Sequence, residues 1–155
     1  PSLGTKDPIV RLKAAELLIN AVKKMRSSLI IAVGDFNTTV RKEPQVFNKV
    51  YEHFHEANRV KGFVPNMRGS HYYRGEWAFL DHILVAKKSL NKANAKFAPL
   101  WNSFYVVNRG LVWDRDVKGK NGKVKYKKGT PRRFSDYFKA GYSDHLPLVM
   151  SFQVL

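Results

Sequence analysis

The sequence contains no cysteine, few acidic residues and no long apolar run. Without cysteine the chain can form neither disulfide bonds nor thiolate metal sites, although this does not identify its compartment. No segment is long and apolar enough for a transmembrane helix, and no signal peptide is apparent. We therefore expect a soluble protein without a membrane span, and the sequence leaves cytoplasmic and secreted locations open.

The scarcity of acidic residues leaves a large positive charge. Twelve acidic residues stand against 28 lysines and arginines, which gives a formal net charge of +16. The 155 residues are 44% hydrophobic, enough for one domain with a substantial core. The charge favours a polyanionic partner such as nucleic acid, anionic lipid or a phosphorylated small molecule. A generally basic, well-solvated surface is the alternative.

A first motif occupies residues 30–37, Ile-Ile-Ala-Val-Gly-Asp-Phe-Asn. The apolar run predicts a strand buried on both faces, with a sharp turn at Gly34 where it ends. Asp35 and Asn37, two residues apart on extended chain, can face one cleft while Phe36 packs on the other side. The alternative is an ordinary strand followed by an Asp-x-Asn turn.

Two helices are predicted around this strand. Asp7-Pro8 is a favourable helix start, and the apolar stripe that follows predicts a helix ending near Ser27 that covers the sheet. Glu43-Pro44 opens a second, shorter helix. Its predicted buried face consists of Val46, Phe47, Val50 and Phe54.

A second motif lies within residues 71–86 and predicts a hairpin with a turn at Arg74-Gly75 and a long second strand. Asp81 lies inside this apolar strand, where a carboxylate is costly unless it is paired. It could cap a neighbouring backbone amide, or it could orient a catalytic imidazole. The adjacent His82 faces the opposite side of the strand and is interpreted as a structural or rim residue.

Residues 118–129 are very basic, and Asn121-Gly122 within them favours a type I′ hairpin turn. The lysines of this segment are Lys118, Lys120, Lys123, Lys125, Lys127 and Lys128. We expect an exposed basic hairpin. It would be either an arm that contacts phosphates or a solubilising insertion.

A third motif, Ser143-Asp144-His145, precedes an apolar segment, residues 148–152, that predicts a buried terminal strand. Histidine is suited to proton transfer or phosphate contact near neutral pH. Aspartate is a hard oxygen ligand suited to Mg²⁺.

The three motifs, Gly-Asp-Phe-Asn, Leu-Asp-His-Ile-Leu-Val and Ser-Asp-His-Leu-Pro, occur in this order and resemble the endonuclease/exonuclease/phosphatase superfamily. That superfamily includes pancreatic-type deoxyribonucleases, apurinic/apyrimidinic endonucleases, sphingomyelinases and inositol-polyphosphate phosphatases. The resemblance implies an α/β fold, a four-layered α/β/β/α sandwich, of which residues 1–155 would form the C-terminal half. We expect one mixed β-sheet with helices on one face.

The N-terminal half of that sandwich, which carries the superfamily's metal-binding glutamate, is not matched by this sequence. No glutamate here lies in a corresponding context. A sheet with helices on one face would also leave an apolar face that needs a second sheet. We therefore expect the N-terminal half as a partner, as a second chain or a missing segment, and expect this chain alone to be inactive.

The resemblance also implies residue roles. Asp35 would be catalytic and a metal ligand, and Asp144 would bind Mg²⁺, with Mn²⁺ or Ca²⁺ as possible substitutes. Asn37 would hold a phosphate oxygen or the nucleophile, and His145 would contact the scissile phosphate and transfer protons. Asp81 would support an imidazole, which in many members comes from the absent half.

The implied activity is metal-dependent hydrolysis of a phosphodiester, and we expect a nuclease acting on DNA. The basic charge, the lysine-rich hairpin and exposed aromatic residues such as Tyr73 and Trp77, which could stack on or wedge against bases, favour this substrate. The expected substrate-binding residues are Asn37, His145, Arg74, Tyr73 and Trp77. Two alternatives remain: a lipid or inositol phosphoesterase of the same fold, and a non-catalytic fragment that binds nucleic acid.

Overall fold

A computed structural model describes residues 8–91, 95–134 and 141–155 and has an α/β fold. The helices are α1 (Pro8–Lys24) and α2 (Pro44–His53). The strands are β1 (Ile31–Asp35), β2 (Phe54–Glu56), β3 (His71–Tyr73), β4 (Glu76–Ala78), β5 (Asp81–Ala86), β6 (Phe97–Val106), β7 (Val117–Lys118), β8 (Val124–Tyr126) and β9 (Leu148–Val154). Among the described helices, neither has the length and apolar character to cross a bilayer.

The central sheet has the order β1-β5-β2, and both pairings are antiparallel. The expected mixed sheet is therefore wrong for the described residues, in which every paired strand is antiparallel. Of these pairs, only β3–β4 and β7–β8 are joined by short turns, which by themselves require antiparallel pairing. In the register of β1 and β5, Asp35 lies opposite Asp81.

Both helices pack on one face of the central sheet, as their apolar stripes predict. Their buried side chains form a first core cluster with Leu84 and Ala86 of β5. Ile83 points to the other face and joins a second cluster with Phe104, Val106 and Leu146. Strand β5 therefore separates two cores, and its odd-numbered and even-numbered side chains face different ones.

The long strand predicted after the Arg74-Gly75 turn is interrupted. Residues 76–78 pair with β3, whereas residues 81–86 belong to the central sheet. The interruption falls beside Ser70, whose hydroxyl accepts hydrogen bonds from the amides of Leu80 and Asp81. Arg74 and Gly75 both have positive φ, as a two-residue type I′ hairpin turn requires.

Strands β1 and β9 are more exposed than the sequence predicted. Val33 is 69% exposed and Val154 is 72% exposed, so neither strand is buried on both faces by the described residues. Strand β1 is an edge strand, with β5 as its only partner in the described sheet. Gly34 continues this strand, and the chain leaves the extended conformation only after Asp35.

The lysine-rich segment is an exposed hairpin of β7 and β8, as predicted, but its turn is not type I′. Only Gly122 has positive φ there, whereas type I′ requires positive φ at two successive residues. At the base of this hairpin, the rings of Trp113 and Tyr126 stack at 5.2 Å, and the Arg132 guanidinium lies 4.8 Å from the Trp113 ring. These contacts hold the base of the arm.

Candidate active site

The first motif places a carboxylate at the end of β1. Phe36 anchors the segment, because its amide donates to the carbonyl of Leu80 and its ring packs against Phe47. Asn37 has φ of 53°, and its backbone amide donates to Oδ1 of Asp35 at 2.7 Å. Asp35 is exposed, and this turn fixes its position. The two interpretations of the motif, an Asp-x-Asn turn and a carboxylate of the candidate site, are therefore compatible.

The third motif places an imidazole beside the second motif. Nδ1 of His145 lies 2.8 Å from Oδ2 of Asp81, within hydrogen-bond distance. The imidazole beside Asp81 thus belongs to this chain, whereas the resemblance led us to expect one from the N-terminal half. The neighbouring Leu146 fixes the position of His145 beside Asp81, because Leu146 is buried and its amide donates to the carbonyl of Ser70 at 2.7 Å.

His71 is a site residue that the sequence interpretation missed. It forms an isolated antiparallel bridge with His145, and the two rings lie 4.6 Å apart. Nε2 of His71 lies 3.7 Å from Oδ2 of Asp144. Its only signal in the sequence is its position at the start of the aromatic hairpin, which does not reveal a neighbour 74 residues away.

The electrostatic environment of His71 disfavours its charged form. Burial lowers the pKa of His71, and the nearby His145 lowers it further. The carboxylates of Asp144 and Asp81 oppose this shift, and Arg133 adds to it. Asp144 itself lies between His71 and the cationic Arg133, since Nη2 of Arg133 is 3.4 Å from its Oδ2.

Two groups of side chains in the described residues have ligand atoms within 4.8 Å of one another. One consists of Asp35, Asp81 and His145, and the other of His71, Asp144 and His145. Mg²⁺ is commonly held by one or two carboxylates together with water and substrate phosphates. Asp81 already pairs with His145, which leaves Asp35 in the first group and Asp144 in the second as the remaining carboxylates.

Three of the chain's glutamates are engaged elsewhere. Glu43 pairs with Arg11, Glu16 with Lys49, and Glu56 with His82. No glutamate belongs to either group of possible metal ligands in the described part of the chain.

The predicted substrate-binding residues of the hairpin have two different surroundings. Tyr73 is exposed and stacks on His71 with ring centroids 6.2 Å apart, and the Arg74 guanidinium lies over the Tyr73 ring, 5.1 Å from its centroid. Trp77 is half-buried, since it packs against Tyr72 and the second core cluster. Tyr73 therefore adjoins the histidine pair, whereas the prediction that Trp77 is exposed is wrong.

Together these residues form an acid–base centre on an α/β scaffold: a carboxylate-paired imidazole, a second imidazole and two further carboxylates. A carboxylate that accepts a hydrogen bond from Nδ1–H fixes the tautomer of the ring and leaves Nε2 to exchange a proton. Such a centre can transfer protons and, with a divalent cation, activate water toward a phosphate ester.

A family model described as the Endonuclease/Exonuclease/phosphatase family matches residues 6–154. The chain therefore belongs to this family, whose members are hydrolytic enzymes that act on phosphodiesters or phosphate esters. Neither the curated proteins nor the solved structures that were searched give a match.

Proposed function

We propose that this chain is the C-terminal half of a Mg²⁺-dependent phosphodiester hydrolase that cleaves DNA. The observation that carries the proposal is the cluster of Asp35, Asp81 and His145, drawn together from three separate motifs in a family of phosphoester hydrolases. The basic composition favours a polyanionic substrate over a small, weakly charged one.

Each side chain has a role consistent with its contacts. Asp81 holds the His145 ring, which contacts the scissile phosphate and transfers a proton during attack. Asp35 orients the attacking water, and Asn37, whose backbone supports Asp35, interacts with a phosphate oxygen. Burial lowers the pKa of His71, and its ring packs beside His145 as a positioning residue.

The carboxylates of Asp35 and Asp144 would hold Mg²⁺, with Mn²⁺ or Ca²⁺ as substitutes. The ion would supply charge neutralisation at the phosphoryl oxygens as negative charge develops. The residues of this chain would bind and orient the substrate around it.

The N-terminal half of the domain would cover the exposed faces of β1 and β9. Val33 and Val154 are the most exposed apolar side chains on these strands, and sheets bury such faces by packing against another sheet. This pairing would complete a four-layered α/β/β/α sandwich and supply the glutamate ligand. The chain alone would then be inactive.

We propose DNA and not another phosphoester as the substrate because of the arm formed by β7 and β8. Its exposed lysines lie on a hairpin whose base is held by the Trp113–Tyr126 stack. Phosphate-backbone binding is a natural use of such an arm. A lipid or inositol phosphoesterase of this fold is the second candidate, since the superfamily that the motifs resemble includes both chemistries, and in a lipid phosphoesterase the arm would contact an anionic lipid surface.

The test is cleavage of a fluorescent DNA duplex by the complete protein that contains this chain, with and without Mg²⁺. We expect Mg²⁺-dependent cleavage that is lost in His145→Ala and Asp35→Asn. Matched controls are His55→Ala and Asp114→Asn, which change an exposed histidine and an exposed carboxylate outside both candidate metal-binding groups. Near-wild-type rates in either site variant would overturn the assignment of the site.

The same protein is then offered a lysophospholipid phosphodiester and an inositol polyphosphate. Faster turnover of either than of DNA, with little dependence on salt, would overturn the nuclease assignment and favour the second candidate. Salt-sensitive binding of DNA without hydrolysis of any of the three substrates would instead identify a non-catalytic nucleic-acid-binding protein.

A further inference from the structure

His71 and His145 are the two imidazoles of the candidate active site, and a backbone bridge holds them side by side. The two residues pair in an isolated antiparallel β-bridge, and their ring centroids are 4.6 Å apart with the ring planes 44° from each other. Directly paired residues of antiparallel strands carry their side chains on the same face. The pair therefore offers two ring nitrogens to one ligand.

Asp144 adds a carboxylate to this pair. Its Oδ2 lies 3.7 Å from Nε2 of His71, and one ligand atom from each of His71, Asp144 and His145 lies within 4.8 Å of the other two. Zinc bonds of about 2.1 Å in a tetrahedral site place neighbouring ligand atoms about 3.4 Å apart. The spacing of the first two atoms is already close to that value, so only a small closure of the three side chains would bring them onto one ion.

Asp81 supports His145 in the way that metal-binding histidines are usually supported. Nδ1 of His145 lies 2.8 Å from Oδ2 of Asp81, so the ring donates Nδ1–H to the carboxylate and its Nε2 lone pair is left for an ion. A carboxylate behind a metal-binding histidine fixes the orientation of the ring and raises its basicity. Because this hydrogen bond is already present, metal binding requires no rearrangement of the Asp81–His145 pair.

The three possible ligands can be reached from solvent. The exposed fraction of the side chain is 15% for His71, 31% for Asp144 and 28% for His145. Nη2 of Arg133 lies 3.4 Å from Oδ2 of Asp144, and a bound ion would have to displace it. The Arg133 side chain is 59% exposed, so it can turn into solvent at little cost.

The ligand set determines which kind of metal suits this group. Imidazole nitrogens suit zinc, copper and nickel, whereas Mg²⁺ prefers oxygen ligands and keeps several waters. Two imidazoles with one carboxylate also occur as the protein ligands of zinc sites, in which water takes the fourth position. These three residues together are therefore better matched to a transition metal than to the Mg²⁺ of the proposed reaction.

We propose that His71, Asp144 and His145 bind a divalent transition-metal ion such as Zn²⁺, and that this ion inhibits the proposed hydrolase. The inference rests on the proposed function, in which Asp144 holds Mg²⁺ and His145 transfers a proton. An ion bound to both side chains makes them unavailable for these roles, so the reaction stops until the ion is released.

The first test is calorimetric titration of the metal-free complete protein with Zn²⁺, together with visible absorption spectra of the Co²⁺-loaded protein. We expect micromolar Zn²⁺ binding and intense Co²⁺ bands, which indicate nitrogen ligands in a tetrahedral site. His71→Ala and His71→Gln should each weaken Zn²⁺ binding at least about tenfold, and Asp81→Asn should weaken it by about tenfold to a hundredfold. The matched control is His55→Ala, which changes an exposed histidine outside both candidate metal-binding groups.

Three results of this test would overturn the site. They are a Zn²⁺ affinity that is unchanged in either folded His71 variant, tighter binding of Mg²⁺ than of Zn²⁺, and the weak Co²⁺ spectrum of an octahedral ion with oxygen ligands.

The second test measures how Zn²⁺ inhibits Mg²⁺-dependent cleavage of DNA. The Zn²⁺ concentration that halves the rate should be at least about tenfold higher for His71→Gln than for the wild type, whatever the rate of the variant without Zn²⁺. Equal inhibition of both proteins, or no inhibition of the wild type, would overturn the inhibitory role.

The outcome is separable from that of the proposed function, because Zn²⁺ binding is measured without substrate and without turnover. Mg²⁺-dependent cleavage of DNA that Zn²⁺ does not inhibit would refute the inhibitory site alone. Zn²⁺ binding that depends on His71 in a protein that hydrolyses no phosphodiester would refute the proposed hydrolase and support the metal site.

Discussion

His145 and Asp81 are 64 residues apart in sequence, yet Nδ1 of one lies 2.8 Å from Oδ2 of the other. Hydrogen bonds of the neighbouring backbone bring the two side chains together. The amide of Leu146 donates to the Ser70 carbonyl, and the Ser70 hydroxyl accepts from the amide of Asp81. Ser70, which is fully buried, therefore aligns both partners of the pair.

This pair gives a first prediction for catalysis. In Asp81→Asn, the amide accepts a weaker hydrogen bond from Nδ1–H than a carboxylate does, and its NH₂ group can select the wrong tautomer of His145. We expect the rate of metal-dependent DNA cleavage to fall on the order of 10³-fold. The midpoint of thermal unfolding should change little, because both side chains are partly exposed. The Asp114→Asn variant should retain the wild-type rate, and a similar loss in that control would contradict a specific role for Asp81.

The lysine-rich arm gives a prediction for DNA affinity. Replacing Lys120, Lys123 and Lys127 with glutamine removes three exposed charges. If each contacts a phosphate, the slope of log K against log salt should become shallower by about 2.7. The matched control replaces Lys13, Lys23 and Lys24 of α1, which lowers the net charge equally. Equal effects of both sets on the salt dependence, measured by fluorescence anisotropy, would indicate a general charge effect and no specific arm.

The ion pair between Arg11 and Glu43 gives a prediction for stability and its pH dependence. Nε of Arg11 donates to Oε2 of Glu43 at 2.6 Å, and both side chains are largely buried. The hydrogen bond from Arg11 lowers the pKa of Glu43, and burial opposes that shift. A lowered pKa in the folded state means stability that is present above the ordinary value of 4.5 and is lost as the pH falls through the folded value.

Glu43→Gln should therefore reduce the free energy of unfolding at pH 7 by about 2 kcal/mol. The difference from the wild type should shrink as the pH falls below about 4.5. Urea unfolding at several pH values measures both effects. A difference that stays constant down to pH 3 would mean that the carboxylate charge does not contribute. Glu52→Gln changes an exposed glutamate of α2, the helix that Glu43 directly precedes, and serves as the control.

Gly141, which precedes the third motif, gives a prediction for backbone conformation. Its φ is +101°, and a Cβ there would lie 2.3 Å from the carbonyl oxygen of Arg133. Gly141→Ala should therefore shift the loop that carries Asp144 and lower both cleavage rate and stability, the latter by about 2 kcal/mol. Gly110→Ala is the matched control, because Gly110 also has positive φ but open space around it. It should cost about 1 kcal/mol and leave the rate unchanged.

Much of the local structure could be predicted from the sequence. The start of both helices, the Arg74-Gly75 turn and the inward packing of Phe36 follow from patterns within a few residues. The turn at Asn121-Gly122 was assigned the wrong type because a dipeptide preference does not determine hairpin register. The strand after residue 76 was predicted as continuous because its apolar run contains no breaker; the interruption reflects Ser70, six residues before that strand begins.

The sequence by itself determined the order of the motifs, the positive charge and the position of each carboxylate in or next to a particular strand or loop. These properties depend on residue type and on spacing along the chain. Only the tertiary structure decided that His145 is the imidazole beside Asp81, that His71 joins them, and that His82 pairs with Glu56. The physical reason is that these contacts join residues from 26 to 74 positions apart, and the packing of β5 between two cores sets their distances.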